Sequence, residues 1–367
     1  MYCWTRTSAV GSRRSSVAAS EPLIALDAMG GDHAPEEIVK GAVLAARELG
    51  IQVALVGPSA LVEEELAKGG QRPEGIRVVA ASEVIAMDEH PAQAARHKKD
   101  SSIVVGLKLV KQGEADAFVS AGNTGAVLAG SIMYLGRVRG IERPSLVALL
   151  PLSGRLTLLL DVGANADCKP KYLLQFAEMG SAYMERVWKV ERPRVALLSI
   201  GEEETKGSLL AQEAYALLKK ASHLNFIGNV EGRDVASDVA DVIVTDGFTG
   251  NVVVKTMEGM ASFIRGQLEG AIRSKWYYML PGLALKGAFR GVQKRTDPRE
   301  YGAGPLLGVR GLVFVGHGRS DAVAIRSALR VAREAVVSGM LEAMRPSPET
   351  DQAVAEAPGG GRNPAGG

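Results

Sequence analysis

Short apolar runs alternate along the chain with longer segments in which apolar residues recur every three or four positions. Most of the short runs are continuously apolar, which is typical of strands buried on both faces of a sheet. The predicted strands are Leu23–Met29, Gln52–Val56, Ile76–Ala80, Asp116–Ser120, Leu146–Leu150, Leu156–Asp161, Arg194–Ile200, Leu224–Ile227, Val242–Thr245 and Leu312–Val315. The predicted helices are Glu36–Leu49, Ala60–Ala67, Ser102–Gln112, Ala126–Gly136, Tyr172–Val187, Ser208–Ala221 and Asp321–Met344. Because a helix follows most strands, we expect an α/β fold with a largely parallel sheet between two layers of helices.

The two ends of the chain depart from this alternation. Residues 1–20 contain three arginines and five serines but no acid, and residues 345–367 hold four prolines and five glycines. Neither composition supports a packed element. We therefore expect a disordered extension over 1–21, a single α/β catalytic domain over 22–344 and a flexible tail over 345–367.

The segment 249–295 is helical in pattern and contains no strand-like run. Its middle is aromatic and apolar, and residues 265–295 carry seven bases and one acid in a chain whose net charge is +2. This pattern predicts a helical hairpin that projects from the sheet. Its apolar residues would enter a lipid headgroup layer and its bases would attract anionic lipid or an acidic protein; packing in a dimer is the alternative. The candidate contact residues are Lys275, Trp276, Tyr277, Leu283, Lys286 and Arg290.

Composition and charge narrow the function classes. A hydrophobic fraction of 46% with 23% charged residues is that of a globular protein. The small net charge offers no general attraction for nucleic acid. Only Cys3 and Cys168 are present, which excludes a disulfide framework and favours a reducing compartment. No apolar run approaches the roughly 18 residues that a membrane span requires.

Two kinds of cofactor motif are absent from the sequence. The five histidines lack the paired spacing of a zinc site, and neither a Walker A motif nor a Gly-x-Gly-x-x-Gly fingerprint occurs. We therefore expect no metal and no cofactor, and a magnesium site made of carboxylates stays an alternative. An NAD-dependent hydroxy-acid dehydrogenase of the isopropylmalate type stays an alternative, because such enzymes bind NAD without that fingerprint. A non-catalytic adaptor that binds a lipid surface through the hairpin is a third possibility.

Polar, glycine-rich clusters follow six of the predicted strands. Ligands of open α/β sheets bind beyond the carboxyl ends of the strands, where helix N-termini favour anions. We expect all six clusters to meet at one edge of the sheet. They are Asp27–Pro35, Ser120–Gly125, Asp161–Cys168, Gly201–Gly207, Asp246–Asn251 and Gly316–Asp321.

The chain resembles the bacterial phosphate acyltransferases, the acyl-acyl-carrier-protein:phosphate transacylases of phospholipid synthesis. The resemblance covers roughly residues 22–335, and the strings Asp27–Pro35 and Thr245–Asn251 are its most specific parts. It departs from the family at Gly316–Asp321. The other strings that carry it are Ser120–Ala126, Asp161–Pro170, Thr205–Gly207, Phe226–Asp234 and Glu300–Gly308.

The resemblance implies a three-layer α/β/α fold like those of phosphotransacetylases and isopropylmalate dehydrogenases. It also implies transfer of a long acyl chain from an acyl-carrier-protein thioester to inorganic phosphate. The product, an acyl phosphate, would pass to a membrane glycerol-3-phosphate acyltransferase. A cytoplasmic homodimer, peripherally attached to the inner face of the cell membrane, is the implied state.

The implied reaction needs positioning and oxyanion stabilisation more than an enzyme nucleophile, because phosphate itself attacks and a thiolate leaves. The resemblance points to Lys206 and Asn251 as catalytic residues. Lys206 would neutralise phosphate or the oxyanion, and Asn251 would donate to the thioester oxygen. The alternatives are a surface lysine and an asparagine that caps a helix. Cys168 is expected to be an inert thiol.

Other candidates belong to a phosphate cradle or support it. Glycines allow close approach of backbone amides, and short polar side chains add neutral donors. The supporting aspartates would repel phosphate directly, so we expect them to orient Lys206 or strand-end amides. The candidates for phosphate binding are Gly30, Gly31, His33, Asn123 and Thr124, and the supporting residues are Asp27, Asp161, Asn165, Asp246 and His317.

Overall fold

The computed structural model describes residues 21–152, 155–274, 299 and 302–343. Its strands are β1 (Leu23–Asp27), β2 (Gln52–Gly57), β3 (Ile76–Ala80), β4 (Ala117–Ser120), β5 (Ser145–Leu152), β6 (Arg155–Leu160), β7 (Arg194–Leu198), β8 (Asn225–Val230), β9 (Val242–Val244), β10 (Ala303–Leu307) and β11 (Leu312–Gly316). Its α-helices are α1 (Glu36–Leu49), α2 (Ser59–Lys68), α3 (Pro91–His97), α4 (Ser102–Gln112), α5 (Thr124–Tyr134), α6 (Pro170–Arg186), α7 (Leu209–Lys220), α8 (Gly247–Arg273), α9 (Ala322–Val337) and α10 (Met340–Ala343).

The strands form one sheet in the order β3-β2-β1-β4-β11-β10-β5-β6-β9-β7-β8. Alternate strand residues face opposite sides, as the period of two requires. In β1, Ile24 and Leu26 belong to a core cluster that includes residues of α1, α2, α6, α7 and α9, whereas Ala25 belongs to a second cluster with residues of α3, α4 and α5. Helices therefore cover both faces, and the predicted three-layer α/β/α architecture is confirmed.

The expectation that all six clusters meet at one edge is wrong. β10 pairs antiparallel with both β11 and β5, and β5 pairs antiparallel with β6. Three successive reversals make β6, β9, β7 and β8 run opposite to β1, β2, β3, β4 and β11. The carboxyl ends of the two sets consequently lie at opposite edges of the sheet.

We name each of these two edges of the sheet after one of its strands. The β4 edge holds the loops after β1, β4 and β11, and the β9 edge holds the loops after β6, β7 and β9.

Strand β10 was not predicted because Gly304 and Pro305 interrupt its apolar pattern. No helix among the described residues is both long and apolar enough to span a bilayer.

Candidate functional site

Three loops pack closely at the β4 edge. The Ser120 hydroxyl donates to Asp27 Oδ2 at 2.7 Å and accepts from the Gly122 N–H at 3.1 Å. A Cβ on Gly30 would lie 2.6 Å from both Gly122 N and Asp27 Oδ2, so a larger residue would force these loops apart. The position therefore requires glycine, and the backbone approach that a phosphate cradle needs is present.

The loop after β11 joins the same assembly. The Asp32 N–H donates to the Gly318 carbonyl oxygen at 2.7 Å. Gly31 adopts φ +108°, a conformation that side chains with a Cβ rarely reach, which turns the chain towards Gly318. The β4 edge thus brings together Gly30, Gly31 and the loop that carries His317.

Asp27 holds these loops from inside the protein. Only 1% of its surface is exposed, and its Oδ1 accepts from the Met29 N–H at 3.1 Å. Burial raises the pKa of Asp27 above its ordinary value, although hydrogen bonds from Ser102 and Ser120 oppose that rise. Two roles were expected for this carboxyl group: to orient Lys206 or to orient strand-end amides. It accepts from the strand-end amide of Met29 and does not contact Lys206.

The predicted phosphate ligands differ in availability. The Asn123 side chain is buried: its Oδ1 accepts from Ala126 N at 3.0 Å, and its Nδ2 donates to three carbonyls of residues 86, 87 and 89. It therefore caps α5 and fixes a neighbouring loop. Thr124 begins α5, at the helix terminus whose N–H groups point outward. The His33 ring is exposed and has no hydrogen-bond partner within the described ranges.

Asp161 organises the β9 edge. It is fully buried, and its carboxylate accepts four hydrogen bonds: from the N–H groups of residues 146, 164 and 165 and from Asn165 Nδ2, at 2.7 to 3.1 Å. Burial still raises its pKa. Asn165 Nδ2 also donates to the Pro144 carbonyl at 2.7 Å, and the Asn165 carbonyl accepts from Gly247 N at 2.8 Å. Both supporting residues therefore fix the loop against the start of α8.

Asn251 lies in the second turn of α8, and local sequence explains its position. Asp246 caps the helix, accepting from Thr249 N at 2.8 Å and from Thr249 Oγ1 at 2.7 Å. A Cβ on Gly250 would lie 1.9 Å from the Asp161 carbonyl oxygen, so glycine is needed for this approach. Asn251 itself is exposed beside Gly163, and its amide makes no hydrogen bond to described residues. It is not the helix cap, and its donors are available.

Lys206 belongs to the same edge as Asn251. It follows β7 and Asn251 follows β9, and these strands are neighbours with Leu197 paired to Val244. Its stem lies over Gly201, where a Cβ would meet Lys206 Cγ at 2.9 Å. The exposed ammonium forms neither an ion pair nor a hydrogen bond within the described part of the chain. The side chains of Lys206 and Asn251 share an edge, but no hydrogen bond joins them.

Helix α8 connects the two edges. It begins beside Asp161, and two turns later the Lys255 ammonium contacts His317 Nε2 at the β4 edge. Asn251 and Lys255 are four residues apart and lie on one face of the helix, about 6 Å apart along its axis. The helix therefore compensates for the reversal of strand direction.

Sequence reasoning missed Lys255 and Glu258. Glu258 Oε2 lies 3.4 Å from Lys255 Nζ and 3.8 Å from His317 Nε2, one turn farther along α8. The signal that would have found them is helical spacing: positions 251, 255 and 258 recur at four and three residues within a segment predicted to be helical.

Cys168 is a partly buried free thiol. Burial raises the pKa of Cys168 to about 12, and its Sγ donates to the Asn165 carbonyl at 3.6 Å, so the thiol stays protonated near neutral pH. Within the described ranges, no group of three His, Cys, Asp or Glu side chains has an arrangement able to hold a metal ion.

The outer half of α8 leaves an apolar stripe exposed. Its side chains are about half exposed, recur at helical spacing and precede the basic, aromatic sequence. The stripe consists of Met260, Phe263, Ile264 and Leu268.

Some of the predictions concern residues outside the described ranges. These are the two chain ends, 1–20 and 344–367, and the candidate contact residues Lys275, Trp276, Tyr277, Leu283, Lys286 and Arg290.

Comparison with known proteins identifies the family. The model of a family described as "Fatty acid synthesis protein" matches residues 23–343. The phosphate acyltransferase of Heliobacterium modesticaldum is 54% identical over 324 residues, which cover 88% of this chain and 96% of that protein. The chain belongs to the phosphate acyltransferase family. This membership confirms the resemblance drawn from the sequence strings and identifies the chain as an acyltransferase of lipid biosynthesis.

Solved structures support the fold. A phosphotransacetylase from Streptococcus pyogenes matches with a TM-score of 0.58 at 17% identity, over 87% of this chain and 95% of that one. A 4-hydroxythreonine-4-phosphate dehydrogenase from Klebsiella pneumoniae matches with a TM-score of 0.51 at 13% identity, over 86% and 99%. At these identities the likeness concerns the fold alone. Two different chemistries on one fold mean that the site must decide the function.

Proposed function

We propose that this phosphate acyltransferase moves a long-chain acyl group from an acyl-carrier-protein thioester to inorganic phosphate. A phosphate oxygen attacks the thioester carbonyl carbon, a C–O bond forms, and the C–S bond breaks as the thiolate of the carrier leaves. The products are an acyl phosphate and free carrier protein. Neither a protein nucleophile nor a redox step is required.

The observation that carries the proposal is the Asn251 amide at the start of α8, which makes no hydrogen bond to any described residue. A donor held there by the close Gly250–Asp161 approach costs little reorganisation when an oxyanion forms. Asn251 Nδ2 would donate to the thioester oxygen. Lys206 lies on the same edge, and its ammonium forms no ion pair within the described ranges; it would neutralise phosphate or the oxyanion.

Gly30 and Gly31, with the backbone N–H groups at the start of α5, are the proposed phosphate cradle. Asp27, Asp161, Asn165 and Asp246 would act indirectly, by holding the backbone that presents these donors. Of the other candidates, Asn123 is engaged by protein groups, whereas Thr124 at the start of α5 and the exposed His33 would add donors to the cradle.

The test mixes the full chain with palmitoyl-carrier protein, with and without phosphate. The proposal requires phosphate-dependent thiol release together with an acyl phosphate that hydroxylamine traps. Turnover that ignores phosphate but requires NAD would instead establish the dehydrogenase alternative. Absence of turnover with intact vesicle binding would establish the adaptor.

Variants then test the residues. Asn251→Ala is expected to lower turnover by about 10²–10³-fold, the usual loss for one oxyanion donor. Lys206→Ala should also lose most turnover. Lys68→Ala is the matched control, because Lys68 is an exposed helical lysine whose ion pairs among the described residues are with Glu64 and Glu65. Near-normal rates for both site variants would refute the assignments.

We further propose that the enzyme is a cytoplasmic homodimer attached peripherally to the inner face of the membrane. The exposed stripe on α8 and the seven bases of residues 265–295 support contact with anionic lipid. Release of acyl phosphate at the bilayer would serve a membrane glycerol-3-phosphate acyltransferase. We expect the protein to float with anionic vesicles but not with neutral ones, and equal binding to both would contradict membrane attachment through anionic lipid. Light scattering should give the mass of a dimer, and a monomer mass would contradict the proposed homodimer.

A further inference from the structure

Lys255, Glu258 and His317 form a cluster between the two edges of the sheet. The Lys255 ammonium contacts His317 Nε2, and Glu258 Oε2 lies within 3.8 Å of both side chains. Their side chains keep 51%, 36% and 45% of their surface exposed. The cluster is therefore fixed by mutual contacts and still reachable by a small solute.

The cluster holds more hydrogen-bond donors than acceptors. His317 Nδ1 faces the Arg319 N–H at 3.2 Å, while Nε2 faces the Lys255 ammonium. A neutral imidazole has one acceptor nitrogen, and a protonated ring has none. Glu258 Oε2, 3.4 Å from Lys255 Nζ, is the other acceptor in this described cluster. An anion bound beside it would accept from the remaining N–H groups of Lys255 and from the ring.

Charge around the ring favours its neutral form. Burial and the Lys255 charge lower the pKa of His317, and Arg319 acts in the same direction, whereas Glu258 and Asp32 raise it. A neutral ring can place its proton on Nε2 and donate it to an anion. Both the ring and the ammonium can then point donors at the same ligand.

The position of the cluster suits the reaction. The loop of His317 is tied to the Gly30–Gly31 loop through the Asp32–Gly318 hydrogen bond. Asn251 precedes Lys255 by one turn on the same helix face, about 6 Å away along the axis. Lys255 therefore lies between the glycine cradle and the proposed oxyanion donor.

We propose that Lys255 is the cation that binds the attacking phosphate, with His317 holding its ammonium in place until phosphate replaces the ring as acceptor. This inference rests on the proposed function and assigns Lys206 to the oxyanion. The recognised chemistry is a phosphate group. We assign free inorganic phosphate as the source of this group. The alternative source is a phosphodiester on the prosthetic arm of the carrier.

The test measures initial rates for the full chain and for Lys255→Met against each substrate in turn. We expect the KM for phosphate to rise at least tenfold and the KM for the acyl carrier to change less than twofold. Lys255→Arg should recover part of the phosphate affinity, and Lys68→Met should match the unmodified enzyme. An unchanged phosphate KM overturns the proposal, and so does a rise confined to the carrier KM, which would indicate the phosphodiester.

A binding measurement separates this inference from the proposed function. Phosphate should raise the melting temperature of the unmodified chain, and this increase should be lost in Lys255→Met and in Lys255→Gln, whose own melting temperatures report that they fold. Loss of the phosphate effect supports the inference even if no acyl transfer occurs. A phosphate effect retained in both folded variants overturns it.

Discussion

Gly250 approaches the carbonyl oxygen of Asp161 so closely that a Cβ at position 250 would lie 1.9 Å from that oxygen. This contact fixes the start of α8 against the loop after β6. It thereby sets the position of Asn251, the next residue, and of Lys255, one turn farther on. The geometry of both proposed ligand-binding side chains depends on one glycine.

The first prediction concerns that contact. Gly250→Ala should lower the free energy of unfolding by about 1–3 kcal/mol, because the new methyl group cannot be accommodated without displacing the helix. Gly266→Ala is the control, since a Cβ there meets nothing within 4 Å. That change should be neutral or stabilise the helix by up to about 1 kcal/mol. Chemical denaturation measures both, and equal effects would contradict the packing account.

Asn123 provides a second prediction, because its buried amide is engaged by the protein itself. Asn123→Ala would leave carbonyls of the loop at residues 86–89 without their donor and remove the cap of α5. We expect a loss of about 1–3 kcal/mol in the free energy of unfolding. Denaturant titration measures it. A large increase in phosphate KM at unchanged stability would show instead that Asn123 is a ligand.

Cys168 gives a third prediction. Its pKa of about 12 keeps it protonated at pH 8, so it should react with iodoacetamide far more slowly than a free thiol. Cys168→Ala should retain turnover. Mass spectrometry of the Cys3→Ser variant, incubated with acyl donor, tests the point directly; an acyl adduct on Cys168 would show that the reaction passes through the enzyme.

The buried Asp27 makes a fourth prediction, on pH. Its folded-state pKa is raised above the ordinary 3.8, so the folded state binds the proton more tightly than the unfolded state does. The resulting stabilisation is present at acid pH and is lost as pH rises through the folded-state pKa. Asp27→Asn removes this dependence while keeping a similar shape.

The comparison of the two proteins isolates that effect from the other carboxyl groups. The unfolding free energy of Asp27→Asn relative to the unmodified chain should increase from pH 4 towards neutral pH. Denaturant titrations at several pH values measure the difference. A difference that stays constant over this interval would mean that Asp27 is not protonated more readily in the folded state.

Local sequence patterns predicted most elements but not the direction of the strands. Continuous apolar runs identified β1, β2 and β9 because burial on both faces leaves a local signature. Strand direction depends on pairing, and the missed strand β10 supplies two of the three antiparallel strand pairs in the described sheet. One clue was available: Ser153-Gly154 separates β5 from β6 by two residues, a typical hairpin connection.

The candidate site was predictable only in part, for the same reason. The glycine-rich loops could be predicted from the sequence, since each follows a recognisable strand. The contact between Lys255 and His317 joins positions 62 residues apart and depends on how α8 lies across the sheet. No local pattern carries that information, although the spacing from Asn251 places Lys255 on the right helix face.

The central claim is that loops from opposite edges of the sheet, joined by α8, form one phosphate-binding site. A crystal structure of the full chain with bound phosphate tests it most directly. The account predicts a phosphate within about 3 Å of Lys255 Nζ, between the Gly30–Gly31 loop and the Asn251 side chain. A phosphate held by Lys206 and out of reach of Lys255, or Gly31 and Asn251 facing separate clefts, would contradict it.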